Sequence, residues 1–325
     1  MLFRSAFGAG VVTLVNSDSV LEIADGIAIA NDLTVSNTGN NKTLRLHGGA
    51  SAGVYSGVVT IAETTAGNFD VGADTGGTLT LSGVIGGAVA GGLEKVGAGT
   101  VVLSNANTYT GITTVGAGTL LATNTTGSAT GTGAVVVALG ATLGGNGFLA
   151  PAADNSVMVD GTLQIGTAGD VSARQLTITT TGAGLVTVND IVAFDLFSGQ
   201  GSGGLNDATH NDLLVVNGSS GFTIGANAQL HVTTSLPIDG SWVVGTEWRL
   251  FDWTGLTGGV TGAFSNLSDP APFNYMNLPD LSSIGLAWDV SNLYTQGTIM
   301  VMVPEPGRVL LLFLGLMGLH FRRRR

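Results

Sequence analysis

The sequence predicts an all-β protein built as a parallel β-helix, a solenoid whose short strands stack in successive coils, here called rungs. Glycine contributes 52 of the 325 residues but proline only 7, which argues against collagen and against a disordered linker. Mean hydropathy is high, at +0.42, yet no long apolar run occurs before residue 300. Instead, aliphatic residues and threonine alternate with small polar residues, as in short strands joined by tight turns.

A short unit of glycine and small residues, followed by threonine and an aliphatic residue, recurs five times. The aliphatic residues of these units are Leu79, Val101, Leu120, Leu143 and Leu163. They are separated by 22, 19, 23 and 20 positions. A period near 20 with turn glycines in each unit fits one rung of a parallel β-helix, which buries its aliphatic residues against its neighbours. We therefore expect residues 1–185 to form β-helix repeats.

One stretch of these repeats is similar to a known family. Residues 92–121 read GLEKVGAGTVVLSNANTYTGITTVGAGTLL and resemble the autotransporter-associated β-strand repeat of bacterial passenger domains. The resemblance implies a right-handed parallel β-helix and a surface location. It implies no reaction.

Residues 186–302 are expected to be a β-rich continuation and a cap. Aromatic residues become frequent in this part, and all four tryptophans lie in it: Trp242, Trp248, Trp253 and Trp288. The last rung of a solenoid exposes an open strand edge, which bulky side chains can cover. A ligand-binding role for these aromatic residues is the alternative.

Residues 303–325 combine three features in a fixed order. Pro304, Glu305 and Pro306 come first, and the two prolines favour an extended, protease-accessible chain. An apolar membrane segment follows, comprising Val309, Leu310, Leu311, Leu312, Phe313, Leu314, Gly315, Leu316, Met317, Gly318, Leu319, His320 and Phe321. Arg322, Arg323, Arg324 and Arg325 end the chain as a cytoplasmic topology anchor. A helix of this length spans about 20 Å, less than the hydrocarbon core, so we expect one short transmembrane helix with a weak hold.

These three features resemble the PEP-CTERM sorting signal of proteins processed by exosortases in Gram-negative bacteria. The resemblance implies export, a transient inner-membrane intermediate, cleavage near Pro304-Glu305-Pro306 and delivery to the cell surface or extracellular matrix. An ordinary tail anchor is the alternative. At the other end, Met1 to Val15 is a poor match to a secretion signal. We therefore expect an N-terminally truncated product or a misplaced start, with a weak but working signal peptide as the alternative.

Composition excludes several partners. Residues 1–303 carry six basic residues against 21 acidic residues, a net charge of −15. Such a chain repels phosphate backbones, so we expect no nucleic-acid partner. There is no cysteine, which rules out disulfides and thiolate metal sites. No phosphate-binding loop occurs, and we expect no cofactor.

Catalysis is not expected, although parallel β-helices do host polysaccharide lyases and hydrolases. Such enzymes need neighbouring carboxylates, whereas the acids here are dispersed: Asp154, Asp160, Asp170, Asp190 and Asp195. The segment with Asp207, His210 and Asp212 could suggest a metal site, but it lacks the glycine-rich calcium repeat and is expected to be a polar loop. The predicted function is a non-catalytic surface or biofilm-matrix protein, with extracellular polysaccharide as a partner besides the exosortase. A β-helical carbohydrate-active enzyme is the alternative.

Overall fold

The computed structural model describes residues 2–3, 8, 10–15, 18–36, 42–48, 51–62, 68–87, 91–167, 170–206, 209–218, 220–264 and 276–304. These residues form short strands and one 3-10 helix, Ser282–Ile284. In chain order the first strands are β1 (Leu2–Phe3), β2 (Val12–Leu14), β3 (Val20–Ile23), β4 (Ala28–Ile29), β5 (Leu33–Val35), β6 (Lys42–Leu46), β7 (Ala52–Tyr55), β8 (Val59–Ile61), β9 (Phe69–Ala73), β10 (Thr78–Leu81), β11 (Ile85–Gly86), β12 (Leu93–Val96), β13 (Thr100–Leu103), β14 (Thr113–Val115), β15 (Thr119–Ala122) and β16 (Val135–Val137). The others are β17 (Thr142–Gly145), β18 (Phe148–Leu149), β19 (Val157–Val159), β20 (Thr162–Ile165), β21 (Gln175–Thr179), β22 (Val186–Val188), β23 (Ile191–Leu196), β24 (Leu205–Asn206), β25 (Leu213–Asn217), β26 (Phe222–Ile224), β27 (Gln229–Thr234), β28 (Glu247–Arg249), β29 (Phe251–Asp252), β30 (Val260–Thr261), β31 (Met276–Asn277), β32 (Ala287–Asp289) and β33 (Thr298–Met302).

The strands stack into a parallel β-helix with three faces. Face 1 is an 11-stranded sheet, in the order β1-β3-β6-β9-β12-β14-β16-β19-β22-β26-β30. Face 2 is a 10-stranded sheet, in the order β4-β7-β10-β13-β15-β17-β20-β23-β27-β31. Neighbours pair in parallel throughout both sheets, for example β12 with β14 and β13 with β15. The predicted parallel β-helix is therefore confirmed.

Face 3 begins as sheet β2-β5-β8-β11 and ends as sheet β18-β21-β25-β29. Between them the backbone ladder continues without regular strands. The amide of Thr108 donates to the carbonyl of Ile85, that of Asn107 to Ser128, and that of Ala129 to Phe148. The side chain of Asn107 adds a bond to the carbonyl of Ala129, at 2.6 Å. Side-chain amides thus replace part of the ladder where the rungs are shortest.

The five aliphatic residues of the sequence repeat are successive partners on face 2. Leu79 pairs with Val101, Val101 with Leu120, Leu120 with Leu143, and Leu143 with Leu163. All five are fully buried. Strands β10, β13 and β15 alternate half-buried with buried residues, because successive side chains of a strand point to opposite faces. The predicted spacing between the five aliphatic residues therefore matches the pairing register of face 2.

Rung corners require glycine where backbones approach each other. A Cβ atom on Gly133 would lie 2.0 Å from the carbonyl oxygen of Gly111, one rung earlier. A Cβ on Gly83 would lie 1.9 Å from the carbonyl oxygen of Gly57 in the same way. These distances are far below a normal contact, so a larger residue would force successive rungs apart.

The rungs widen after residue 163 without leaving the parallel register. On face 2, Leu163 pairs with Val192, Val192 with Leu230, and Leu230 with Met276. The added chain includes a further sheet beside the coil, in the order β24-β28-β33-β32, which we call the fourth sheet because it lies outside the three faces. Strand β33 is antiparallel to both neighbours. We call residues 235–302 the cap, because this part contains the last strands of the parallel stack and the antiparallel strands β32 and β33.

Candidate functional site

The cap encloses a cluster of three tryptophans. The ring centroids of Trp242, Trp248 and Trp288 lie 5.5 to 5.8 Å apart. Each indole nitrogen donates to a backbone carbonyl: Trp242 to Pro237, Trp248 to Ser198 and Trp288 to Pro279, at 2.8 to 3.0 Å. Trp242 and Trp248 are buried. With their polar atoms satisfied and their rings packed together, these residues form part of the interior of this region.

A second aromatic cluster fills the last rungs of the coil and includes residues of the cap. The rings of Phe251 and Trp253 stack at 4.6 Å, and Phe194 meets Phe251 edge to face at 4.9 Å. Phe222 and Phe264 pack against the same group. Phe194, Phe222, Phe251 and Phe264 are all buried. Several packed rings therefore fill the core of the wide rungs, whereas the narrow rungs of residues 93–122 bury mainly leucine and valine and the single ring of Tyr109.

The chain leaves the cap at the predicted sorting motif. Strand β33 ends at Met302, which pairs with Ala287. Val303 follows with 59% of its surface exposed, and Pro304 is also exposed. The other residues of the predicted tag, Glu305, Pro306, Val309 to Phe321 and Arg322 to Arg325, lie outside the described residues. In the part of the chain that the structure describes, no helix is long and apolar enough to cross a membrane.

Three aspartates that looked dispersed in the sequence meet at the corner between faces 2 and 3. Asp195 lies on β23, Asp212 just before β25, and Asp170 in the loop before β21. Asp212 has no exposed surface. Its Oδ1 accepts the backbone amide of Arg174 at 2.9 Å, and its Oδ2 accepts that of Asp195 at 3.0 Å. Asp212 therefore ties three segments of the coil together.

Burial raises the pKa of Asp212 to about 7. The two backbone amide bonds oppose this change in pKa, and the negative charges of Asp195 and Asp170 add to it. The raised pKa of Asp212 thus has two causes: the carboxyl group is removed from water, and two other acids lie close to it. Sequence spacing could not reveal this, because the acids come from different rungs and loops.

The other two acids already have partners. The Oδ2 atom of Asp170 accepts a hydrogen bond from the backbone amide of Thr167 at 2.8 Å. The same atom forms an ion pair with Nε of Arg174 at 3.2 Å. Asp195 Oδ1 accepts the hydroxyl of Thr233. Among the described residues, no group of three or more His, Asp and Glu residues has the geometry to hold a metal ion. Asp207, which the metal interpretation needs, lies outside the described residues, and His210 Nδ1 contacts the hydroxyl of Thr209 at 2.8 Å.

A buried lysine in the narrow rungs is a further feature that the sequence did not single out. Lys95 on β12 points into the coil and has no exposed surface. Its Nζ donates to the carbonyls of Val96, Gly97 and Ala117, at 2.7 to 2.9 Å. Burial lowers the pKa of this ammonium group to about 8. Because Ala117 belongs to the next rung, Lys95 joins two successive turns.

Comparison with known families identifies the narrow rungs. Residues 93–122 match the passenger-associated-transport-repeat. The matched residues run from β12 to the end of β15, which is one full turn of the coil and the face 1 and face 2 strands of the next turn. The repeat and the parallel β-helix together indicate a secreted, passenger-like protein that reaches the cell surface or extracellular space. No curated protein matches the chain.

Proposed function

We propose that this chain is a non-catalytic β-helix protein of the bacterial cell surface or extracellular matrix, sorted by an exosortase through its C-terminal segment. The passenger-associated repeat at residues 93–122 is the observation that carries the export part of the proposal. A long parallel coil offers an extended surface for contacts with other molecules. Extracellular polysaccharide is the partner that such a matrix protein would meet.

The carboxylate cluster supports a structural role better than catalysis. General acid catalysis needs a proton donor within reach of the substrate. Asp212 has the raised pKa that such an acid needs, but it is fully buried and both of its oxygens accept backbone amides. Asp170 is held by Thr167 and Arg174. We therefore assign the cluster to joining the rungs.

The proposed sorting follows from the chemistry of the last 23 residues. Pro304, Glu305 and Pro306 would be recognised by the exosortase, and the apolar segment from Val309 to Phe321 would hold the precursor in the inner membrane. Arg322 to Arg325 would keep the end on the cytoplasmic side. A segment of thirteen residues gives weak retention, since a full span needs about 20. Cleavage would release the acidic body to the surface.

The test is the C-terminal peptide of the mature protein, measured by mass spectrometry in a host that carries an exosortase. Changing Pro304, Glu305 and Pro306 to alanine should leave an uncut, membrane-bound precursor. Val303→Ala, at the exposed neighbouring position, is the matched control and should be processed normally. Replacing the four arginines should impair membrane topology before any cut. A mature peptide that still ends at Arg325 after successful export would show an ordinary anchor instead.

A carbohydrate-active enzyme is the second candidate, favoured by the raised pKa of Asp212 beside Asp195 and Asp170. Turnover assays on acidic polysaccharides with the Asp195→Asn and Asp212→Asn variants address it. Our proposal predicts no depolymerisation by the wild-type protein. Reproducible depolymerisation that Asp195→Asn abolishes, in a folded variant, would establish the enzyme instead.

A further inference from the structure

Strand β33 occupies an inner position of the fourth sheet, although it lies directly before the sorting motif. It pairs with β28 through Arg249 and Thr298, Trp248 and Ile299, and Glu247 and Met300. On its other edge it pairs with β32, through residues 287–289. Strand β33 is therefore hydrogen-bonded on both sides.

The side chains of β33 also belong to the cap interior. Ile299 and Val301 are fully buried. In an antiparallel pair, residues directly opposite each other lie on the same face of the sheet. Ile299 is opposite Trp248, and Val301 is opposite Trp288, so both aliphatic side chains lie beside members of the tryptophan cluster. Removing β33 would open this cluster to water.

Little free chain separates the cap from the motif. Met302 is the last paired residue, and Val303 alone stands between it and Pro304. An extended residue spans at most about 3.6 Å, so Pro304 lies within about 7 Å of the folded sheet. A protease that binds its substrate as an extended chain could reach a bond before Val303 only after β33 had left both of its neighbours.

We propose that β33 is a closing strand that the mature protein keeps, and that the folded cap confines the sorting cut to bonds beyond Pro304. This inference rests on the proposed exosortase sorting and specifies where and how readily that cut occurs. The cut is a hydrolysis: water adds to the carbonyl carbon, the C–N bond breaks, and the proton passes to the amine that leaves with the membrane segment. The short spacer makes the cap an obstacle that slows the cut.

The experiment compares the full-length chain with two insertion variants in a host that carries an exosortase. One variant has Gly-Ser-Gly-Ser-Gly between Val303 and Pro304, which lengthens the spacer by about 17 Å. The matched control has the same insertion between Asp239 and Gly240, which are both exposed. Pulse-chase labelling measures the processing rate, and mass spectrometry identifies the new C-terminus.

We expect the wild-type mature chain to end at Pro304 or later, with all of β33 present. The spacer insertion should speed processing by about threefold or more, because the longer chain reaches the protease with the cap folded. The control insertion should leave the rate unchanged. A mature chain that ends at Val303 or earlier, or a rate unaffected by the longer spacer, would overturn this inference while leaving exosortase sorting intact. An exported but uncut precursor in all three proteins would refute the sorting proposal itself, and this inference with it.

Discussion

The narrow rungs around residues 93–122 and the wide rungs after residue 163 solve the same packing problem differently. In the narrow rungs, one turn from Val101 to its partner Leu120 takes 19 residues, and the core contains valine, leucine, a buried lysine and the single ring of Tyr109. In the wide rungs, one turn from Val192 to Leu230 takes 38 residues, and phenylalanine fills the core. Both kinds of rung keep the parallel register. The length of a rung is therefore set by the chain inserted between its strands, whereas the pairing register is set by the inward-facing residues.

The largest loss of stability should come from a substitution in the cap. Trp248 is fully buried, contacts Trp242 and Trp288, and donates to the carbonyl of Ser198. Trp248→Ala should lower the free energy of unfolding of the cap by about 3–5 kcal/mol, because it leaves a large cavity. Hydrogen exchange should show lost protection in residues 242–302 and retained protection in residues 93–122. Val243→Ala, at a 42% exposed position, is the control and should change little.

The next largest loss of stability is expected where the backbones of successive narrow rungs approach each other closely. Gly133→Ala would place a Cβ atom 2.0 Å from the carbonyl oxygen of Gly111. We expect a loss of about 3 kcal/mol in stability, at the upper end of what overpacking usually costs. Thermal and urea unfolding measure it. Gly240→Ala is the matched control, since a Cβ there meets nothing within 4 Å, and a loss of equal size in both variants would contradict the contact argument.

The wide rungs should lose stability as pH rises from about 4 to 7. The folded state holds the pKa of Asp212 at about 7, against an ordinary value of 3.8. Between these values the folded chain binds more protons than the unfolded chain, so stability is greatest at the acid end and falls by about 2–4 kcal/mol towards neutrality. Asp212→Asn should remove this dependence, while losing about 1–3 kcal/mol because one backbone amide is left without its acceptor. An unchanged pH profile in the variant would contradict this assignment.

The narrow rungs should show the opposite trend at higher pH. The pKa of Lys95 is about 8 in the folded chain, against an ordinary value of 10.5. Above pH 8 the unfolded chain binds more protons, so stability should rise by about 1–2 kcal/mol between pH 8 and 9.5. Below pH 8 the ammonium group of Lys95 is charged in the folded chain, so burying this charge lowers stability by its full amount there. Lys95→Met should abolish the rise, and urea unfolding at each pH measures both proteins.

The fold could be predicted where the inward-facing residues repeat at regular steps. Leu79, Val101 and Leu120 each follow the same short sequence unit, because each rung needs an aliphatic residue after its turn. Their pairing register could therefore be predicted. The fourth sheet was not predictable in this way, because β24 and β28 are short segments within loops and form only when successive wide rungs stack.

The carboxylate cluster shows the same limit for a candidate site. Asp170, Asp195 and Asp212 lie in different segments, and only the folded corner between faces 2 and 3 brings them together. Lys95 was one of six basic residues in the body, and nothing in its neighbours distinguished a buried lysine from a solvated one. The sorting motif was predicted from its own residues alone, since its features are consecutive in the chain, and it stays a prediction.

The most direct test of the continuous coil is a comparison of two distances between spin labels, which the absence of cysteine makes selective. Thr78 and Thr162 are four rung steps apart on face 2, and so are Thr119 and Gln229, although the second pair is separated by more residues. All four side chains are half-buried and face outward. With one rung rising about 4.8 Å, both double-cysteine variants should give the same distance, about 19 Å. A clearly longer distance for Thr119 and Gln229 would show that the wide rungs leave the parallel stack and would contradict the account.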